Sequence, residues 1–256
     1  MGDPIDEPSM ASLNAAKQHL RAAMKQKLKA LPHDAILSQS FKVYQTLRTL
    51  KPYANAKRIS VFLSMPSGEI QTDAIVRDAL ATGKQVFIPY LHKNPAPAPG
   101  HPARVMDMVC LRDLADYESL KPDKWGIPSL DAATVRGRQR LFGDGPDGQP
   151  ANELLLDLIL MPGVAFDVSP NGDQIRRLGH GKGFYDYFLS RHEAKAASLG
   201  QQESPVLLYG LALSEQLLSP SEGAVPVGPH DKPLHGLILG NGEIKGPLAP
   251  PVNKTD

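Results

Sequence analysis

The residues best suited to chemistry stand together at positions 174–189, QIRRLGHGKGFYDYFL. Three glycines alternate, Gly179, Gly181 and Gly183, with His180 and Lys182 between them and Arg176 and Arg177 just upstream. Glycine lets the backbone take positive φ and come close to a ligand, so amide N–H groups can converge on an anion. Phe184, Tyr185, Tyr187, Phe188 and Leu189 then open a helix, whose first turn adds unbonded N–H donors and partial positive charge. Arg177 can grip a phosphate with two bonds, and Lys182 adds a point charge. Asp186 sits in that first turn. A carboxylate beside a phosphate is repelled unless a cation lies between them, and Mg²⁺ usually takes one or two carboxylates plus phosphate oxygens. The local chemistry therefore points to a magnesium-bound nucleotide. It is not a P-loop, because no Ser or Thr follows Lys182 and the glycine spacing differs. Spacing alone also permits a glycine-rich surface turn ahead of a helix.

These groups need a scaffold, and the rest of the chain reads as alternating helices and strands. Leu13, Ala16, Leu20, Met24, Leu28 and Leu31 recur at helical spacing until Pro32 stops the helix. Lys17 and Arg21, four apart, share a face of it, which by itself reads as a solvated basic face. A second helix is expected from an Asp34 cap, with Ile36, Val43, Tyr44, Leu47 and Leu50 inward and Pro52 after its end. Residues 58–63 (RISVFL) form a strand and 64–69 (SMPSGE) its loop. A helix capped by Thr72 runs to Ala81, Gly83 stops it, and 85–89 (QVFIP) is a second strand. Strand, helix, strand with short loops is a βαβ unit, so these strands should be parallel, with ligands gathering beyond their C-terminal ends. Glu69 lies just past the first of them; a helix-entry carboxylate is the plainest account of it.

Residues 91–104 read as a proline-rich loop, 105–111 as a strand, and 136–152 as an inserted loop without apolar period. The lone Trp125, in a WGIP turn, is expected in the core because of its large area. Residues 154–161 form an apolar strand ending at Pro162 and Gly163, with a polar turn at 169–173. Strands at 205–212 and 234–239 flank a helical turn at 214–218 and a polar turn holding His230 and Asp231. The fold expected is α/β: a three-layer, mostly parallel, doubly wound, Rossmann-like sheet with helices on both faces. One domain spans 11–242, after a disordered leader at 1–10 and before a loose tail at 243–256.

Composition narrows the function. The chain has 256 residues, enough for one well-packed α/β domain, and a formal net charge of +1, which gives no general attraction to nucleic acid or membrane. Cys110 is the single cysteine, so no internal disulfide can form and a reducing compartment fits. No apolar run approaches the roughly 20 residues of a membrane span. The first ten residues, MGDPIDEPSM, lack the pattern of a transit or signal peptide. A cytoplasmic monomer is expected, without excluding a mitochondrial pool.

Two stretches, MPGVAFD at 161–167 and RLGHGKGFYDYFL at 177–189, together resemble the signature of the 5-formyltetrahydrofolate cyclo-ligase family. That signature reads Pro-Gly-x-Ala-Phe-Asp, then Arg-Leu-Gly-x-Gly-x-Gly-Tyr-Tyr-Asp. Phe184 replaces the first tyrosine and His180 stands where many members carry arginine. Five segments match in order over most of residues 12–240. The resemblance implies ATP- and Mg²⁺-dependent cyclisation of 5-formyltetrahydrofolate to 5,10-methenyltetrahydrofolate, releasing ADP and phosphate. It places Lys17, Arg21, Arg177, Gly179, His180, Gly181, Lys182, Gly183, Phe184 and Tyr185 at the ATP. It places Glu69 on the pterin, with Leu63, Trp125 and Phe184 as its apolar wall and residues 180–184 touching substrate. Asp186 and Asp231 would hold Mg²⁺, and His180 and Lys182 would serve the transfer itself. Two other classes compete. One is a non-catalytic folate or phosphosugar sensor. The other is an RNA-binding module using Arg176, Arg177 and Lys182, which lacks interleaved aromatics and a basic surplus.

Overall fold

The computed structural model describes residues 9–95, 97, 101–142, 155–172, 174–201 and 205–246. Residues 1–8 of the leader expected at 1–10, residues 143–152 of the inserted loop and the tail beyond 246 lie outside the described residues; Ser9 and Met10, also read as leader, are the cap and first residue of the opening helix.

The chain opens with α1 (Met10–Lys29), α2 (His33–Thr49) and the short α3 (Lys51–Asn55), then enters β1 (Arg58–Val61), α4 (Asp73–Ala81) and β2 (Gln85–Lys93). The antiparallel β3 (Arg104–Cys110) and α5 (Leu114–Glu118) follow, then β4 (Lys121–Pro122), β5 (Pro128–Ser129) and α6 (Ala132–Val135). The second half holds β6 (Leu158–Met161), the hairpin β7 (Ala165–Val168) and β8 (Ile175–Leu178), and α7 (Phe184–Ser198). It ends with β9 (Leu207–Ala212), β10 (Gly236–Leu239) and β11 (Ile244–Lys245).

Seven strands form one sheet in the order β11-β10-β9-β6-β1-β2-β3. β10, β9, β6, β1 and β2 run parallel, and β11 and β3 close the edges antiparallel. Alternate strand residues point to opposite faces. Ile59, Val61, Leu158, Leu160 and Ile238 face α1–α4, while Ile159, Met161, Leu208, Leu237 and Leu239 face α7 and the β7–β8 hairpin. The expected mostly parallel, three-layer α/β sheet is thus present. Truncating one of these buried leucines, such as Leu158, is the kind of change that costs about 2–5 kcal/mol.

The strand order fixes where a ligand can enter. β1 is followed in space by β2 on one side and by β6, much later in sequence, on the other. The connections leave in opposite directions there, opening a crevice at the C-terminal ends of β1 and β6. The Glu69 loop follows β1; Pro162, the hairpin and the glycine loop follow β6.

Several local expectations change. Asp34 lies in the first turn of α2, and Pro32 holds the cap position without a side-chain bond. Thr72 does precede α4, but its hydroxyl donates to the Phe62 carbonyl at 2.7 Å instead of capping the helix. β2 runs on to Lys93, into the first residues of what reads as a loop at 91–104. Pro89 is tolerated because the pairing with β1 ends at Phe87, so no ladder bond is lost on that side. Pro52 starts α3 at its first turn, where a missing N–H is harmless. β11 extends the sheet into residues that read as tail, and β7 and β8 pair across the polar turn.

Candidate active site

The hairpin sets up the glycine loop. Asp167 holds Arg176 through two bonds, 2.7 Å to Nε and 2.5 Å to a terminal nitrogen, and also accepts the Val225 N–H at 2.8 Å. Arg176 is thereby committed to structure and removed from any RNA-binding face. Gly163 is required by packing, since a Cβ there would lie 2.4 Å from Cζ of Phe166. Arg177, on the next position of β8, points the other way. It is 8% exposed, bonds Asp186 Oδ1 at 3.3 Å and the Pro162 carbonyl at 3.4 Å, and lies over the Tyr185 ring at 5.5 Å.

From there the chain turns through Gly181 (φ 84°) and Gly183 (φ 65°), and Gly183 is the left-handed cap of α7. Among the described residues, the backbone N–H groups of 179–186 have no hydrogen-bond partner. They form a row of open donors at the positive end of a 15-residue helix.

α1 crosses this row. Arg21 Nε donates to the Gly179 carbonyl at 2.8 Å, and a Cβ on Gly181 would come within 2.9 Å of the Arg21 guanidinium carbon. One turn earlier on the same face, Lys17 pairs with Asp231, which also accepts the Gly228 N–H at 2.6 Å. Burial lowers the Arg21 pKa and the nearby Asp231 charge opposes that shift. Lys17, Arg21, the glycine loop, Arg177, Asp186 and Asp231 therefore belong to one assembly, drawn from segments up to 214 residues apart. Lys182 is exposed and pairs with no carboxylate among the described residues. His180 stands at the loop edge, exposed on one side. Desolvation by its neighbours, then the Arg177 and Arg21 charges, hold its pKa below the ordinary imidazole value.

The other flank is the loop after β1. Glu69 is only 5% exposed; its Oε1 accepts the Met65 N–H at 2.5 Å. Burial pushes its pKa up to about 7, against the pull of that bond. Gln71 braces the loop by donating to the Met65 and Glu69 carbonyls at 2.9 and 3.0 Å, and its own N–H is held by Ser40 at 2.9 Å. The Tyr185 hydroxyl is buried without a partner. Burial raises its pKa, the Arg177 charge opposes, and the Glu69 charge adds to the rise, so both groups are within electrostatic reach of this ring.

Trp125 departs from expectation: it is 59% exposed, with the Lys124 ammonium 4.2 Å from its ring centre. Asp123 ties the turn by accepting the Trp125 and Ile127 N–H groups at 2.8 and 3.0 Å. That turn rests on the Glu69 loop, since a Cβ on Gly126 would lie 2.6 Å from Pro66. The indole is therefore an exposed apolar face, on a turn packed against the loop after β1, rather than core. Leu63 is buried beneath the loop and Phe184 is half-buried. Sequence reading missed Gln71 and Gly228. A glycine three residues before Asp231 is a turn signal that could have found the second.

The donor chemistry of Asp186 and Asp231 bears on whether a divalent cation fits between them and a phosphate. Among the described residues no three or more His, Cys, Asp or Glu side chains gather as a cage. Asp186 Oδ2 and Asp231 Oδ1 accept no hydrogen bond there. Two carboxylates with open oxygens beside an anion cradle suit Mg²⁺, which draws its other ligands from phosphate and water.

The model of the 5-formyltetrahydrofolate cyclo-ligase family matches residues 13–240. The chain belongs to the 5-formyltetrahydrofolate cyclo-ligase family. A Caenorhabditis elegans relative named probable 5-formyltetrahydrofolate cyclo-ligase is 35% identical over 90% of this chain and 95% of its own. The mouse 5-formyltetrahydrofolate cyclo-ligase is 34% identical over 89% and 95%. The solved 5,10-methenyltetrahydrofolate synthetase of Aquifex aeolicus shares the fold, with a TM-score of 0.61 at 22% identity over 90% of this chain and 92% of that one. The cyclo-ligase family match runs from α1 to β10, so it takes in both flanks of the crevice. No described helix is long and apolar enough to cross a membrane.

Proposed function

We propose that this chain closes 5-formyltetrahydrofolate to 5,10-methenyltetrahydrofolate at the expense of ATP. The observation that carries the reading is the joining of α1, the glycine loop and the Asp231 turn around open amides, opposite a desolvated carboxyl. Family membership supports the same reaction. A formamide carbonyl is a poor electrophile and its oxygen a poor leaving group. Transfer of the γ-phosphoryl makes a bond from the formyl oxygen to phosphorus and breaks the bond to ADP. N10 then attacks the formyl carbon, the C–O bond breaks with loss of phosphate, and N10 gives up its proton as the amidinium forms.

Positioning and electrostatics carry such a transfer. The 179–186 amides and Lys182 receive the triphosphate from one side, and Lys17, Arg21 and Arg177 from the others. Asp186 and Asp231 would hold Mg²⁺, which neutralises charge on the phosphates when bound. Glu69, as carboxylate, accepts the pterin amino group and ring N–H, and Trp125 and Phe184 cover the ring. His180, neutral near pH 7, directs an N–H at the formyl or transferring oxygen. No Ser or Cys nucleophile is needed.

The test is absorbance at the methenyl band on mixing the protein, 5-formyltetrahydrofolate, ATP and MgCl₂. A rise that requires every component is expected. No rise from folded protein in the complete mixture would overturn the proposal.

A further inference from the structure

Glu69 is a buried carboxyl with little to aim it. Among the described residues no cation pairs with it, and its one hydrogen bond is the Met65 N–H to Oε1; Oε2 accepts none. The direction of that free oxygen therefore depends on where the backbone of Met65 and of Glu69 stands. Both are gripped by one side chain. Gln71 Nε2 donates to the Met65 carbonyl at 2.9 Å and to the Glu69 carbonyl at 3.0 Å. It spans a turn made of exposed Pro66 and Ser67 and of Gly68, whose φ is 80°. A primary amide suits the task, because a single nitrogen carries two N–H donors. The reverse orientation would set its oxygen against two carbonyl oxygens, so the amide is locked. Gln71 is itself held from outside the loop. Its N–H donates at 2.9 Å to Ser40 Oγ, a buried hydroxyl of α2 whose own proton goes to the Ile36 carbonyl at 2.7 Å. Ile70 and Thr72 on either side are buried.

We infer that Gln71 is a positioning residue: its side-chain amide, anchored through Ser40 to α2, fixes the direction in which Glu69 presents its open oxygen to the folate. The inference rests on the reading of Glu69 as the pterin acceptor proposed above.

Calorimetric titration of the full chain with 5-formyltetrahydrofolate, together with steady-state kinetics in each co-substrate, tests it on Gln71→Met and Ser40→Ala. Gln71→Met keeps the length of the side chain and removes both donors. Its Kd and KM for 5-formyltetrahydrofolate should rise about tenfold, while kcat and the KM for ATP stay at the wild-type values. Ser40→Ala leaves the amide in place but releases the Gln71 N–H, and should move folate binding the same way by less. A side chain that only filled space would leave folate binding in Gln71→Met at the wild-type level, and that result would overturn the inference. So would a fall in kcat or a rise in the ATP KM matching the folate loss, the mark of a general structural defect. Should Gln71→Met fail to fold, the same split in Ser40→Ala decides. Normal folate binding by the wild type and by the variants removes only the role of Gln71. No folate binding by the folded wild type removes the acceptor reading and the role of Gln71 with it.

Discussion

The loop that carries Glu69 and the loop that carries Lys182 flank one crevice, yet they handle charge in opposite ways. The Glu69 loop is braced mostly from within, by Met65, Gln71 and Thr72, with Ser40 of α2 accepting the Gln71 N–H, and the carboxyl is desolvated until its pKa nears 7. The glycine loop is open, its amides without partners among the described residues; Arg21 of α1 donates to its Gly179 carbonyl, and Lys17 ties α1 to the Asp231 turn. Under the proposed function the difference matches two kinds of ligand. A flat heterocycle with a pair of N–H donors is read by one buried acceptor, whose energy is high because water is excluded. A polyanion is met by many donors that can stay wet, because multiple charges offset the screening. Substitutions on one flank should leave the other flank's ligand almost untouched.

The largest effect tests the open flank. Lys182→Ala should lower turnover roughly 10²–10³-fold, the cost of losing one donor to developing charge. Its melting temperature should stay at the wild-type value, because the side chain is exposed. Near-normal kinetics would take Lys182 out of the transfer.

Glu69→Gln tests the buried flank through pH. Glu69 has a folded pKa of about 7 against an ordinary 4.5. A raised acid pKa means the unfolded chain gives up its proton first. This group therefore erodes stability as pH rises from about 4.5 to 7, then no further. The glutamine variant lacks that loss. Relative to the wild type it should gain on the order of 3 kcal/mol between pH 4.5 and pH 8 in denaturant unfolding, while losing folate affinity and keeping ATP affinity. A variant whose advantage does not change with pH would show that Glu69 is not desolvated as described.

Gly181→Ala should have the smallest effect. Its φ of 84° disfavours a side chain, and the new Cβ would crowd the Arg21 guanidinium. The KM for ATP should rise about tenfold, the scale of a strained left-handed residue, with folate binding unchanged. An equal loss for folate would mean the two flanks are coupled.

Much of this was legible in the sequence. The alternation of Gly179, Gly181 and Gly183 with cations, followed by an aromatic helix start, carries its own geometry, because glycine conformations and helix ends are local properties. The βαβ unit from β1 to β2 was equally plain, since short connections allow few arrangements. What failed was long-range or marginal. Trp125 read as core because of its size, but its turn is tied outward by Asp123. β11 is two residues long and exists only because β10 offers an edge. β7 and β8 are four residues each and gain their order from packing Phe166 and Ile175 under the sheet.

The sequence by itself determined a glycine-rich loop at a helix start, an α/β scaffold and a family. Only the tertiary structure decided that Lys17 meets Asp231, that Arg176 serves the hairpin while its neighbour Arg177 serves the crevice, and that Glu69 is buried enough to hold its proton near neutrality. The physical reason is range: backbone conformation is written in a few adjacent residues, whereas the pairing and desolvation of a charge depend on which distant segments the sheet brings beside it.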